Sequence, residues 1–217
     1  RGGEHDGGTD PETAQPYAMP VITNVTSIGR GADAGKRALT FRDNAGGTYT
    51  NSIFYNWAKG VDIEDLSEGE DSYSRFLSGD LTFTNNVVDC GSDAFVTSQG
   101  EDLSEYFNAN ENSTSSDHGL SYGSTVQVCS NSDKGAFNAL TGNWASWTLA
   151  MSSGWLSYEL PSGCIDPSAN NFNPFASTDD GSCEYACTPD WDVVVTDQNH
   201  SIFINGQWFD VDGNQMS

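Results

Sequence analysis

Positive charge is what this sequence has least of. Lys and Arg number 8 against 31 Asp and Glu in 217 residues, for a net charge of −23. Nucleic acids and anionic membranes are bound through Lys/Arg clusters that displace counterions, so both are excluded as partners. Long apolar runs are missing too. No window approaches the ~18 residues that span a bilayer, which argues against direct membrane insertion. An acidic surface suits a salty or calcium-containing exterior where cations screen self-repulsion, and it equally serves to keep a secreted protein soluble. The three histidines, His5, His118 and His200, lie far apart, and the five cysteines, at 90, 129, 164, 183 and 187, contain no CxxC pair. That weighs against zinc and for disulfides formed in an oxidising compartment. Cys90 with Cys129 is one pairing and Cys164 with Cys183 another. Cys187 is left to pair elsewhere or to displace one of these.

What is present is a succession of short β-type runs. They include Val21–Ile28, Ala38–Arg42, Tyr49–Tyr55, Gly60–Ile63 and Leu81–Val88, separated by Gly, Asn and Asp. No stretch there has a helical period, and strands at this frequency predict an all-β fold. Thr23-Asn24, Thr50-Asn51 and Thr84-Asn85 repeat a step at intervals of 27 and 34 residues. Such recurrence predicts coils of a parallel β-solenoid, with Asn stacked at an inward turn and bonded to neighbouring coils. A β-sandwich with ordinary Asn turns is the alternative.

Three domains are expected: 1–160, 161–187 and 188–217. Within the first, residues 92–135 read as a polar insertion from which Thr125–Cys129 returns to the coil near Cys90. A Cys90–Cys129 bridge would then stabilise it by about 3–4 kcal/mol. Residues 137–160 carry Trp144, Trp147, Met151 and Trp155 at spacings that fit a helical turn. Their economical role is an aromatic cap over the last coil, and the alternative is a sugar-binding platform. Beyond 188, apolar alternation around Asn205-Gly206 signals a hairpin, with a further turn at Asp212-Gly213, opening a β-sandwich. The chain begins without Met or a signal-peptide apolar run and stops just past a turn, so it is expected to be an excerpt of a longer polypeptide.

Residues 161–187 crowd oxygen-bearing side chains. Asp166, Asn171, Asn173, Asp179, Asp180 and Glu184 could supply the hard oxygens that Ca²⁺ requires, although the spacing is not that of an EF-hand. So short a module needs a staple, either calcium or a disulfide. The run Gly163-Cys164-Ile165-Asp166-Pro167, continuing through Asn171-Phe172-Asn173-Pro174 to Asp179-Asp180-Gly181-Ser182-Cys183-Glu184-Tyr185, closely resembles a repeat of large secreted proteins from Bacteroidetes-type bacteria exported by type IX secretion. Asn170 departs from it, standing where that repeat often has Cys, so the repeat's cysteine pairing does not carry over. Asn24–Gly29 and Tyr49–Phe54 also resemble the last coils of right-handed β-helix domains in such proteins. Trp191–Ile204 resembles the β-sandwich repeats that follow them.

Catalytic signatures are weak. Gly119-Leu120-Ser121-Tyr122-Gly123 matches G-x-S-x-G beside His118, but a polar run precedes it where a nucleophile elbow needs a buried strand. A lyase acting on uronates needs cations and a base. After Arg30, Lys36, Arg37, Arg42 and Lys59 are the basic residues near the coils, and Arg42-Asp43 reads as a strand-end ion pair. A hydrolase needs two carboxylates a fixed distance apart, which any chain this acidic can offer by chance. The expectation is a non-enzymatic, secreted or cell-surface structural or adhesive protein, stabilised by disulfides and calcium. Its partners would be other surface proteins or copies of itself. The alternative is a polysaccharide-binding or -degrading β-helix, with Trp144, Trp147 and Trp155 as contact residues.

Overall fold

The computed structural model describes residues 1–8, 10–11 and 13–185, together with four strands between 194 and 216. In chain order the solenoid contains β1 (Gly3–Asp6), β2 (Val21–Thr23), β3 (Thr26–Ile28), β4 (Arg37–Arg42), β5 (Gly47–Thr50), β6 (Ile53–Ile63), α1 (Ser72–Ser78), β7 (Leu81–Thr84), β8 (Val87–Thr97) and α2 (Ser104–Ala109). One sheet stacks β2, β5 and β7. In the other, β3 and β4 both pair with β6, β6 pairs with β8, and β1 flanks β4. Every pairing among these strands is parallel, which is the solenoid and not the sandwich. Thr23, Thr50 and Thr84 lie in register, so the interval in the sequence is the length of a coil.

Three successive coils turn a corner on an Asn. Asn24, Asn51 and Asn85 hold φ of 56°, 51° and 57°, a left-handed conformation that Asn tolerates better than most residues. Asn85 Nδ2 donates to Asn51 Oδ1 at 2.6 Å. The inward place, however, belongs to the next residue, because the left-handed step turns the chain before the following side chain enters the corner. Ser52 Oγ accepts from the Val25 N–H, Asn86 Oδ1 from the Ser52 N–H, and Asn112 Oδ1 from the Asn86 N–H, each at 3.0 Å. Asn86 Nδ2 and Asn112 Nδ2 donate in turn to the carbonyls of Tyr49 and Phe83. This polar ladder satisfies buried backbone groups that would each cost about 1–3 kcal/mol if unpaired.

Strand alternation fills the interior with Leu39, Phe41, Val61, Ile63 and Phe95. Phe41 meets Phe83 edge-on with centroids 5.4 Å apart, and Phe83 meets Phe107 at 4.8 Å. Phe107, on α2, stacks on Phe95 at 3.7 Å and, with Leu103, closes the last coil. The expected aromatic cap from 137–160 is therefore corrected: α2 supplies it, from inside the supposed polar insertion. Both coil helices escaped the sequence reading because 7 and 6 residues are too few to display a period. Local chemistry makes the first of them. Asp71 accepts the Ser74 N–H at its start, and Gly79, with φ 83°, closes its end.

Residues 114–160 run along the side of the coils. They contain β9 (Val126–Gln127), α3 (Leu149–Ser152) and β10 (Leu156–Ser157). β9 pairs in parallel with β10, so Thr125–Cys129 does not return to the coil beside Cys90. The Gly135 N–H donates to Asn51 O at 2.7 Å, the Ala136 N–H to Thr26 Oγ1 at 2.9 Å, and Lys134 Nζ to Asn85 O at 3.2 Å and to Asn85 Oδ1. Gly135 is required there, since a Cβ would lie 2.5 Å from Thr26 Oγ1. Leu120 packs on Ile53 and Val87, forming a second, smaller apolar cluster. Farther on, β11 (Val194–Thr196), β12 (Ser201–Ile204), β13 (Gln207–Phe209) and β14 (Gln215–Met216) form one antiparallel sheet. Ile204 faces Gln207 in it. Asn205-Gly206, Asp212-Gly213 and Cys187 themselves lie outside the described residues.

Candidate functional site

Three cations on the coil strands, Arg37, Arg42 and Lys59, are engaged with carboxylates. Arg42 Nη2 lies 2.9 Å from Glu4 and 3.1 Å from Asp6, not paired with Asp43 as the sequence suggested, because β1 places both acids beside it. Arg37 Nε lies 3.4 Å from Asp62 Oδ2, and Lys59 Nζ 2.6 Å from Asp93 Oδ2. The hydrogen bond and charge of Lys59 hold the Asp93 carboxyl below its usual range. A cation so occupied is not available to neutralise a substrate carboxylate.

Arg30 and Lys36 are different. Neither has an ion-pair partner among the described residues, and both line a cavity of about 310 Å³ with Arg1, Ile28 and Trp57. The Trp57 indole N–H donates to Ser27 O at 3.2 Å, which fixes the ring in its wall. The sequence placed Lys36 near the coils but offered no signal that Trp57 would face it, since the turn after β3 sets that approach.

His118 is 3% exposed. Its Nδ1 accepts the Leu120 N–H at 3.1 Å, so Nε2 carries the proton and donates to Asp89 at 3.0 Å. Its ring leans on Tyr55 with centroids 4.7 Å apart. Nε2 and the ring face thus fasten the side segment onto β8 and β6, while Nδ1 holds a local turn. Ser121 exchanges backbone hydrogen bonds with Gln127, and Gly119–Gly123 forms no strand-to-helix elbow.

The expected contact residues stand outside the core. Trp147 is 80% exposed, Trp155 60% and Trp144 52%. Trp144 stacks on Phe137 at 4.7 Å and 8°, and its Nε1–H donates to Ala136 O at 2.8 Å. Only α3, between Trp147 and Trp155, is helical, so the anticipated helix over the whole stripe contracts to four residues.

A family model described as a pectate-lyase-like β-helix domain matches residues 1–148. This chain belongs to that family. No curated protein and no solved structure matches the chain. Membership of the pectate-lyase-like β-helix family gives the fold and leaves chemistry to be argued from the residues. The matched region ends between Trp147 and Trp155 and does not reach the Cys/Asp-rich stretch.

In that stretch of this pectate-lyase-like β-helix protein, Cys164 and Cys183 are bonded. Cys90 and Cys129 are free thiols, which corrects the expected bridge. The cause is the course of β9: it places Cys129 in a buried site beside β10, while Cys90 sits half-buried on β8. Burial pushes both thiols up from their ordinary range. Five of the six proposed calcium ligands, all but Glu184, hold local turns with their side chains. Asp166 Oδ1 accepts from Ser168 and Oδ2 from the Tyr185 hydroxyl. Asn171 bridges Ser182 and Glu184, Asn173 accepts from Phe175, Asp179 from Gly181, and Asp180 from Ser182. Among the described residues no three His, Cys, Asp or Glu side chains gather to hold an ion.

One rung of the ladder escaped the sequence reading altogether. Glu111-Asn112-Ser113 is a further rung of the ladder, with Glu111 at φ 62° and Ser113 bridged to Val87. Its signal was the Asn86-to-Asn112 interval, masked because Glu stands where the earlier corners carry Asn.

Proposed function

We propose that this chain is a non-catalytic part of an extracellular surface protein, structural or adhesive in role. The observation that carries this reading is the pairing of Arg37, Arg42 and Lys59 with Asp62, Glu4, Asp6 and Asp93. A uronate lyase would need cations free beside a poised base. Among the described residues, the cavity that holds the unpaired Arg30 and Lys36 is lined by no carboxylate or histidine. The ladder and the ring stack make the coils a rigid body on which other segments are displayed. The likeness of Gly163–Tyr185 to the repeat of type IX-exported proteins supports the extracellular placement, and surface proteins or further copies of this chain are the partners it implies. A second reading, polysaccharide contact without cleavage, is favoured by the exposure of Trp144, Trp147 and Trp155. The test is incubation of the chain with polyuronates and neutral polysaccharides, following new reducing ends and the absorbance of unsaturated products. Neither should rise above a heat-denatured control. Saturable turnover of any polymer would refute the non-catalytic reading.

A further inference from the structure

Residues 136–158, from Ala136 through Tyr158, contain no Asp, Glu, Lys, Arg or His, in a chain whose residues are 18% charged and whose net charge is −23. The same stretch carries Trp144, Trp147 and Trp155, each more than half exposed. We infer that it is a binding surface for an uncharged polysaccharide. This rests on the second reading above and gives it a substrate class and a place.

The chemistry follows from the two faces of a sugar ring. Its C–H face is apolar and lies flat on an aromatic ring, while its hydroxyls need neutral donors and acceptors. Trp144 offers one ring face because Phe137 occupies the other, and its indole hydrogen bond fixes its direction. Trp147 and Trp155 flank α3, which is held by Thr148 at its start and by Gly154, at φ 72°, beyond its end. Exposed Ser146, Ser152 and Ser153 lie between or beside them. Burial elsewhere in the fold does not account for these rings, since α2 already closes the coils.

Charge selects the ligand. An acidic glycan approaching this stretch meets a strongly negative molecule and no local cation to offset the repulsion. A neutral glycan meets neither repulsion nor a desolvation cost for buried charge. Free cations lie instead at Arg30 and Lys36, so the two ligand classes separate by site.

The experiment titrates the full chain with a soluble β-glucan, a galactan, a mannan and a polyuronate, reading tryptophan fluorescence and retardation in polysaccharide-containing gels. At least one neutral polymer should bind, quench fluorescence and be indifferent to added salt. Trp147→Ala and Trp155→Ala should each weaken that binding about tenfold while melting like the parent. Leu77→Ala, another exposed apolar residue, on α1, should leave binding unchanged. Binding of the polyuronate alone, weakened by salt, would overturn the inference while leaving polysaccharide contact intact. No binding to any of the four polymers would overturn both.

Discussion

Among the coils and their cap, Phe41, Phe83, Phe95 and Phe107 are the largest side chains with essentially no exposure, whereas Leu140, Trp147 and Leu149 stand 73%, 80% and 71% exposed. The coil strands draw Arg37, Arg42 and Lys59 into ion pairs and their corner amides into a ladder. Within the segment beside them, residues 136–158 carry no charge and turn their tryptophans outward. Apolar residues are thus spent on cohesion in one region and left available for contact in the other. The two regions should therefore respond in opposite ways to substitution, and the predictions below probe that division in descending order of effect.

Phe107→Ala should be the most damaging change. It removes the ring stacked on Phe95 and opens the end of the core, and it should lower unfolding free energy by about 4 kcal/mol in a denaturant titration. A loss below about 1 kcal/mol would mean that α2 is not the cap. Asn86→Ala comes next. It strips partners from the Ser52 N–H and the Tyr49 carbonyl and should cost about 3 kcal/mol. If Asn86→Ala proved neutral, the ladder would be decoration and not cohesion.

Reduction of Cys164–Cys183 should act locally. The bond closes a loop with a sequence separation of 19, worth about 3 kcal/mol to the module that contains it. Limited proteolysis should then cut between 164 and 183 while the melting of the coils stays put. A calcium chelator should change neither result, because the Asp166, Asp179 and Asp180 carboxylates are engaged in local turns. A chelator-dependent melt would show that they converge on an ion after all.

The smallest effect concerns acid. His5 stacks on Phe41 at 4.7 Å and shares a hydrogen bond with Tyr49, whose own hydroxyl is pushed up to about 12 by burial. Burial also lowers the His5 pKa, against the opposing pull of Asp6. The folded chain therefore takes the proton less readily than the unfolded chain, whose His titrates near about 6.5. Stability from this source is complete above that pH and declines as pH falls through and below it. The denaturation midpoint should be slightly lower at about pH 5 than at about pH 7.5, and His5→Gln should flatten the difference.

How much of this was legible differs between the same two regions. Thr23-Asn24, Thr50-Asn51 and Thr84-Asn85 revealed the coil because a left-handed corner demands a particular residue and recurs with each turn. The identity of the inward residue was missed by one place, since Ser52 and Asn86 do not repeat a letter. α2 was unreadable because its role depends on Phe95 and Phe83, which are distant in sequence. The side segment follows no repeat: its course is fixed by single contacts such as Gly135 on Asn51 and His118 on Asp89, which no local pattern announces. Cys90 and Cys129 were mispaired for that reason. The exposure of the tryptophans was weighed from the sequence as one option, and their neighbours' lack of charge, visible there from the start, acquires meaning only once the rings are seen to face outward.

Native-state hydrogen exchange, resolved along the chain, tests this division most directly. The account predicts that the amides of Ser52, Asn86, Val87 and Val88 exchange only through global unfolding, while those from 140 to 155 exchange through local opening, orders of magnitude faster. Equal protection in both regions, or coils that open before the tryptophan segment, would contradict it.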